Sequence, residues 1–186
     1  MIKVAEPFFS TKPARKLPRG LIYHAPNSNS YKLFDVKNAS YVGKMIAYPK
    51  DCTKSSLYHN VEPNAKLLRV YKLEIFEKRK GWGTYLMNFA MKESYKQGHK
   101  GRLALVAHNL QKPPHVFYKK IGLVTKSERQ NKILDEYIEK GIEPRYFDAM
   151  DMFVPIKAYE KKELPTPQKN FLEKVFQFID KFFEMI

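Results

Sequence analysis

The feature that most constrains this chain is a junction between two periodicities. From Lys66 to Phe76 the segment is strand-like, with Leu68, Val70 and Leu73 apolar. From Leu86 onward Phe89, Ala90 and Met91 recur at helical spacing, and the pattern stops at Gly98, a residue suited to the position just past a helix end. Between the two lies Lys78-Arg79-Lys80-Gly81-Trp82-Gly83-Thr84. Strand, glycine turn and helix form a geometry that holds phosphate. Gly81 and Gly83 have no Cβ, so oxygens can approach the main chain, and the first amides of a helix have no internal partner. The helix dipole makes that point electropositive, and Lys78, Arg79 and Lys80 add full charges.

Two glycines alone are a weak signal. A dinucleotide fingerprint needs a third glycine where Leu86 stands, and a P-loop needs Gly-Lys-Ser/Thr, which is absent. A second block narrows the choice. A strand-like run, Arg102 to His108, is followed by Asn109, and then by Pro113-Pro114-His115-Val116-Phe117-Tyr118-Lys119-Lys120-Ile121-Gly122-Leu123. Prolines suit the first turn of a short helix and Gly122 suits its end.

Together the two blocks resemble the Gcn5-related N-acetyltransferase (GNAT) superfamily. Its signature is Gln/Arg-x-x-Gly-x-Gly/Ala at the strand-to-helix turn and Ala-x-x-Phe-Tyr-x-x-x-Gly-Phe later on. Here Lys78 takes the Gln/Arg slot and Pro114 the alanine slot. The resemblance covers residues 30–156 and implies an α/β (α+β) fold, a mixed twisted sheet flanked by helices. It implies acetyl-CoA as cofactor and an amine as acceptor, attacked directly through a tetrahedral intermediate. Main-chain groups of Leu73, Glu74 and Ile75 are then expected to hold the pantetheine arm. The turn residues Lys78, Arg79, Lys80, Gly81, Trp82, Gly83 and Thr84 are expected at the pyrophosphate, with Asn109, Phe117 and Tyr118 completing the cofactor site. Tyr118 matches the tyrosine that protonates the departing thiolate. The general base has no clear match, because the family's glutamate position falls near Lys66 or Leu67. Glu62, Glu74, His59 and His108 are the candidates, with the two glutamates favoured.

Composition bounds the alternatives. The length suits one well-buried domain, and 44% hydrophobic residues argue for a folded globule. A lone Cys52, expected in a surface loop, excludes a disulfide framework and fits a cytoplasmic setting. The histidines and carboxylates show no metal-ligand spacing. No apolar run approaches the ~20 residues that span a bilayer, and the opening residues lack a signal-peptide core, so no membrane role is expected. The net charge of +15 is concentrated early: residues 1–72 carry 13 basic and 4 acidic groups. Such charge attracts polyanions, so nucleic acid or ribosome binding stands as a rival function without a motif to support it. The other rival is a GNAT-type module that binds coenzyme A without turnover.

The remaining chain reads as follows. Prolines 7, 13, 18 and 26 punctuate an irregular start that leaves little room for helices, with a short strand at Arg19–His24. Strands are expected at Tyr31–Val36 and Tyr41–Tyr48, then a loop through Ser56. Ser56–Val61 is expected to extend the next strand. Val124-Thr125 continues a strand. Ser127 to Gln130 has capping-box form, and Ile133, Leu134, Tyr137 and Ile138 mark a short helix ending at Gly141. This insertion, 127–145, is expected to shape the acceptor end of the cleft or cover an edge, and residues 147–156 to form the last strand. Residues 1–160 are read as the acetyltransferase domain and 161–186 as linker plus C-terminal amphipathic helix. Nine apolar residues from Phe171 to Ile186 line one face of that helix, and its polar face is charge-balanced. Packing on its own domain or a homodimer contact would cover it.

Overall fold

The computed structural model describes residues 18–25, 27–54, 56–59, 65–108, 113–144 and 146–155. Expectations for Asn109, Glu62 and the C-terminal helix therefore lie outside the described residues. Among the described residues six strands form one sheet in chain order: β1 (Gly20–His24), β2 (Ser30–Asp35), β3 (Ser40–Asp51), β4 (Lys66–Ile75), β5 (Leu103–Ala107) and β6 (Met150–Phe153). Every neighbouring pair is antiparallel except β4 and β5. A parallel pair needs a crossover, which is α1 (Trp82–Lys96). Two further helices, α2 (His115–Lys120) and α3 (Glu128–Glu139), lie between β5 and β6. This is the mixed sheet with flanking helices that the GNAT resemblance implies.

One face of the sheet carries the main core. Leu33, Met45, Leu68, Val70 and Leu105 pack with Leu86, Met87, Ala90 and Met91 of α1, and Val116, Tyr118 and Leu134 bring α2 and α3 into the same cluster. The other face holds a smaller cluster of Cys52, Tyr58, Ala65, Leu67, Ala104 and Phe153. The Tyr58 hydroxyl lies 2.9 Å from the Leu103 carbonyl and 2.8 Å from that of Val154, pinning the loop after β3 across β5 and β6. Helix ends match their chemistry. Gly98 and Gly141 adopt φ +79° and +65° just past α1 and α3, and Ser127 Oγ accepts from the Gln130 N–H at 3.3 Å.

Several expectations are corrected. Cys52 is buried rather than a surface thiol, because the Tyr58 loop folds over it. Strand β3 runs on to Asp51, through Pro49. Its pairing with β2 has ended at Ile46, so proline falls where β3 has a neighbour on one side only. Residues 56–59 form turns rather than a strand, and Val124-Thr125 reduces to a single bridge between Val124 and Phe153.

Candidate functional site

The site is built where β4 changes neighbours. Strands β4 and β5 pair only from Leu68↔Leu103 to Val70↔Leu105, while β4 stays paired to β3 as far as Ile75↔Gly43. Beyond Val70, β5 continues with β6 alone. The parallel pair thus splays, and the β5-facing edge of β4 is open from Tyr71 onward among the described residues. A bulge marks the transition. Ile46 faces Lys72 and Ala47 faces Val70, so Tyr71 is an extra residue in β4.

The bulge sets which main-chain groups meet the open edge. The Phe76 N–H donates to the Val42 carbonyl at 2.9 Å, so Phe76 points its main chain at β3. Alternation along a strand then turns Glu74 toward β3 as well, and turns Leu73 and Ile75 toward the open edge. Of the three residues expected to hold a pantetheine arm through the main chain, Leu73 and Ile75 turn theirs to the open edge. The Glu74 main chain is engaged with Lys44 across the ladder.

Residues 76–80 lead from β4 into the glycine turn. Arg79 and Gly81 both adopt positive φ, +64° and +88°, and Gly81 is the N-cap of α1 in the left-handed region that glycine favours. The first intrahelical bond runs from the Tyr85 N–H to the Gly81 carbonyl at 3.0 Å. The N–H groups of Trp82, Gly83 and Thr84 precede it, and no side chain caps them. The first turn carries no acidic residue, while Lys78, Arg79 and Lys80 are exposed just before it. Lys80 bonds Glu77 at 3.0 Å, and Arg79 lies 4.0 Å from Glu143. These amides and cations fit a bound pyrophosphate in hydrogen-bonding character and in charge.

The two turn residues with larger side chains do other work. The Trp82 indole is buried in the core, with its ring centroid 6.0 Å from that of Tyr85, and the Thr84 side chain is also buried. Neither side chain is open to a ligand, so any part these two residues play at the turn falls to their N–H groups. Gly83 serves packing: a Cβ there would lie 2.9 Å from Phe117 Cζ. Its missing side chain leaves room for the Phe117 ring of α2 beside α1.

Tyr118 is buried against the same cluster, 5.1 Å ring to ring from Phe117. Burial pushes its phenol up to about 12, so it remains protonated through the neutral range. Three residues earlier on α2, His115 is fully buried, with Nε2 3.0 Å from the Asp148 carbonyl and its ring stacked on Phe147 at 4.9 Å. Burial pulls its pKa below the usual value. No motif in the sequence singles out this histidine; its position one turn before Tyr118 is the signal available. It ties the start of α2 to the segment that enters β6.

The candidate bases are scattered. The Glu74 side chain points to the face opposite the helices and forms ion pairs with Lys72 at 2.6 Å and Lys44 at 2.9 Å. Its carboxyl is held below the ordinary range by Lys72 first and then Lys44. His59 is half-buried in the loop over β5, and His108 is exposed at the end of that strand. The insertion lies by the glycine turn: Asp135 of α3 reaches Lys119 at 3.1 Å and Glu143 faces Arg79.

No protein-family model matches the chain, and no curated protein does. Among solved structures it is similar to a bacterial toxin at 19% identity, covering 73% of this chain and 74% of the other at a TM-score of 0.45. It is similar to a mutant form of the toxin AtaT, bound to the C-terminus of the antitoxin AtaR and acetyl-CoA, at 18% identity over 70% and 69% with a TM-score of 0.43. It is also similar to the Bacillus subtilis N-acetyltransferase YlbP in complex with coenzyme A, at 15% over 68% and 66% with a TM-score of 0.42.

Proposed function

We propose that this protein transfers an acetyl group from acetyl-CoA to an amine. The observation that carries the reading is the open edge of β4, which runs straight into a turn of uncapped helix amides. The cofactor, when bound, supplies an acetyl group activated as a thioester. The amides of Trp82, Gly83 and Thr84, with Lys78, Arg79 and Lys80, would hold its pyrophosphate. The main chains of Leu73 and Ile75 would hold its amide-bearing arm as an added strand. In the reaction a C–N bond forms, the C–S bond breaks, the amine loses a proton and the thiolate gains one.

Tyr118 is the residue assigned to protonating the thiolate. A phenol near 12 is a weaker acid than a thiol in water at about 8.5. The same dry surroundings raise a thiol too, which narrows the gap at the point of transfer. Glu74 is a poor base while two lysines hold it ionised. Glu62, His59 and His108 stay as candidates, acting directly or through water. That weakness favours a second reading, a module that binds coenzyme A without turnover. One assay separates them: free-thiol release from acetyl-CoA against small amines, peptides and aminoacyl-tRNA. Acceptor-dependent release supports the enzyme, and binding without release supports the silent module. A chain that binds no coenzyme A removes both.

A further inference from the structure

The three helices share one core on one face of the sheet. Beyond the Tyr58 loop, the opposite face of β1 to β4 is left without a covering layer among the described residues. Cross-strand register shows what that face carries. Tyr23, Phe34, Tyr41 and Tyr48 fall on it by register, and Tyr71 and Phe76 join them through ring contacts with Tyr48 and Tyr41. Tyr41 lies 5.4 Å from Phe34 and 5.2 Å from Phe76 ring to ring, and Tyr48 lies 6.3 Å from Tyr71. Tyr71 is 65% and Phe76 55% exposed. Two partly exposed aromatic groups, Phe34–Tyr41–Phe76 and Tyr48–Tyr71, flank the Lys44–Glu74–Lys72 ion pairs and mark the face as an interface. Its charges are Lys32, Lys44, Arg69, Lys72 and Glu74, so it is net basic.

We infer that residues 171–186 of the same chain dock on this face as an amphipathic helix and form a second layer there. The inference stands apart from the acetyl-transfer reading. Exposed aromatic side chains on a sheet are stabilised when another element buries them, and this segment brings nine apolar residues in a helical stripe. Charge does not oppose it: residues 171–186 carry 2 basic and 3 acidic groups, close to balance, against a basic face. The start of the chain is the competing segment, and residues 1–17 carry 4 basic groups and 1 acidic, which the face repels.

Reach also agrees. The described residues end at Pro155, beside Leu103, where Val154 N–H meets the Leu103 carbonyl at 3.1 Å. From that end of the sheet, the ten residues of β4 rise about 33 Å. Residues 156–170 span up to about 50 Å when extended, enough to deliver the helix anywhere on the face. Docked there, it supports β4 from behind, on the side opposite its packing against α1.

The test is lysine cross-linking of the full chain, prepared as an equal mixture of ¹⁴N- and ¹⁵N-labelled protein. The inference expects Lys174 or Lys181 joined to Lys32, Lys44 or Lys72, with both peptides carrying one isotope. Full-chain Phe176→Asp/Phe183→Asp should cut those links at least five-fold. It should also raise hydroxyl-radical oxidation of Tyr41 and Tyr71 at least three-fold while Tyr146, exposed elsewhere, stays constant. Links of mixed isotope would assign the face to a second copy and overturn the inference. Tail lysines joined only to α2 or α3 would overturn it as well. So would wild-type Tyr71 that oxidises as fast as Tyr146 and gains protection only on adding single-stranded poly(U), an aromatic and basic platform for RNA being the rival occupant.

Discussion

The two halves of β4 share one strand and differ in one neighbour. From Leu68 to Val70 the strand is paired on both sides and closes the core through Leu68 and Val70. From Tyr71 to Ile75 it keeps β3 but has lost β5, and the bulge at Tyr71 resets its alternation. The first half has every edge satisfied, so its side chains bear on stability. The second half keeps main-chain groups unspent at an edge, which costs free energy unless water or a ligand meets them. That contrast locates the site more sharply than any single side chain does, and it can be broken in four ways.

The largest expected effect is at Tyr118, on α2. Tyr118→Phe keeps the ring and its packing, and removes the hydroxyl assigned to protonating the thiolate. The kcat should fall by about 10²- to 10⁴-fold while coenzyme A affinity stays within a few-fold. Pre-steady-state assays under conditions where chemistry limits the rate would decide it. Stability gives an independent readout. The folded-state pKa is raised from 10.0 to about 12, so the phenol makes no pH-dependent difference below pH 10. Stability should then decline from pH 10 to about 12, because the unfolded chain releases the proton first. Tyr118→Phe should flatten that decline in alkaline denaturant titrations.

Leu68→Ala probes the closed half. The side chain is fully buried, and its loss should cost about 2–5 kcal/mol with no change in coenzyme A affinity once the protein is folded. Denaturation curves and calorimetry on the same sample separate the two. A large loss of affinity without loss of stability would mean that the halves are not divided as described.

The closed half was legible in the sequence and the open half only partly. Alternating apolar residues reveal a strand, and Gly81 and Gly98 mark the ends of a helix, because those preferences are local. The bulge at Tyr71 is not local: it appears only when β3 and β4 are placed in register. That is why Glu74 reads from the sequence as a neighbour of the cofactor, while its side chain turns away toward Lys44 and Lys72. Gly83 illustrates the same limit. The motif points to a ligand needing space, whereas the nearest obstacle to a Cβ is Phe117, 34 positions later. Buried Cys52 follows from a loop whose anchor, the Tyr58 hydroxyl, reaches carbonyls of β5 and of the residue after β6.

Gly83→Ala tests that second point with a smaller effect. A Cβ 2.9 Å from the end of the Phe117 ring forces a shift, at a cost of about 1–3 kcal/mol. The cost should shrink when Phe117→Leu is added, since the two changes meet at one contact. A Gly83→Ala protein with full stability and much weaker coenzyme A binding would return the glycine to the ligand. Additive costs in the double variant would mean only that the two side chains do not meet at that contact.

Glu74→Gln should have the smallest effect, which makes it the sharpest test of the open half. The carboxylate is about one-third exposed, and its partners Lys44 and Lys72 are similarly open, so solvent and salt screen both pairs. Its folded-state pKa is lowered, so the stability it adds is present above the ordinary carboxylate range and is lost as pH falls below 4.5. Replacing it with Gln should remove that acid-side dependence and leave the neutral-pH melting point nearly unchanged. A group acting as general base predicts something different. The kcat would fall by about 10²-fold or more, and the acidic limb of the pH–rate profile would disappear. With the side chain facing away from α1 and held between two lysines, kcat should stay near the wild-type value and the limb should persist. Loss of that limb in Glu74→Gln would place the carboxylate at the open edge during turnover, with the lysines released from it.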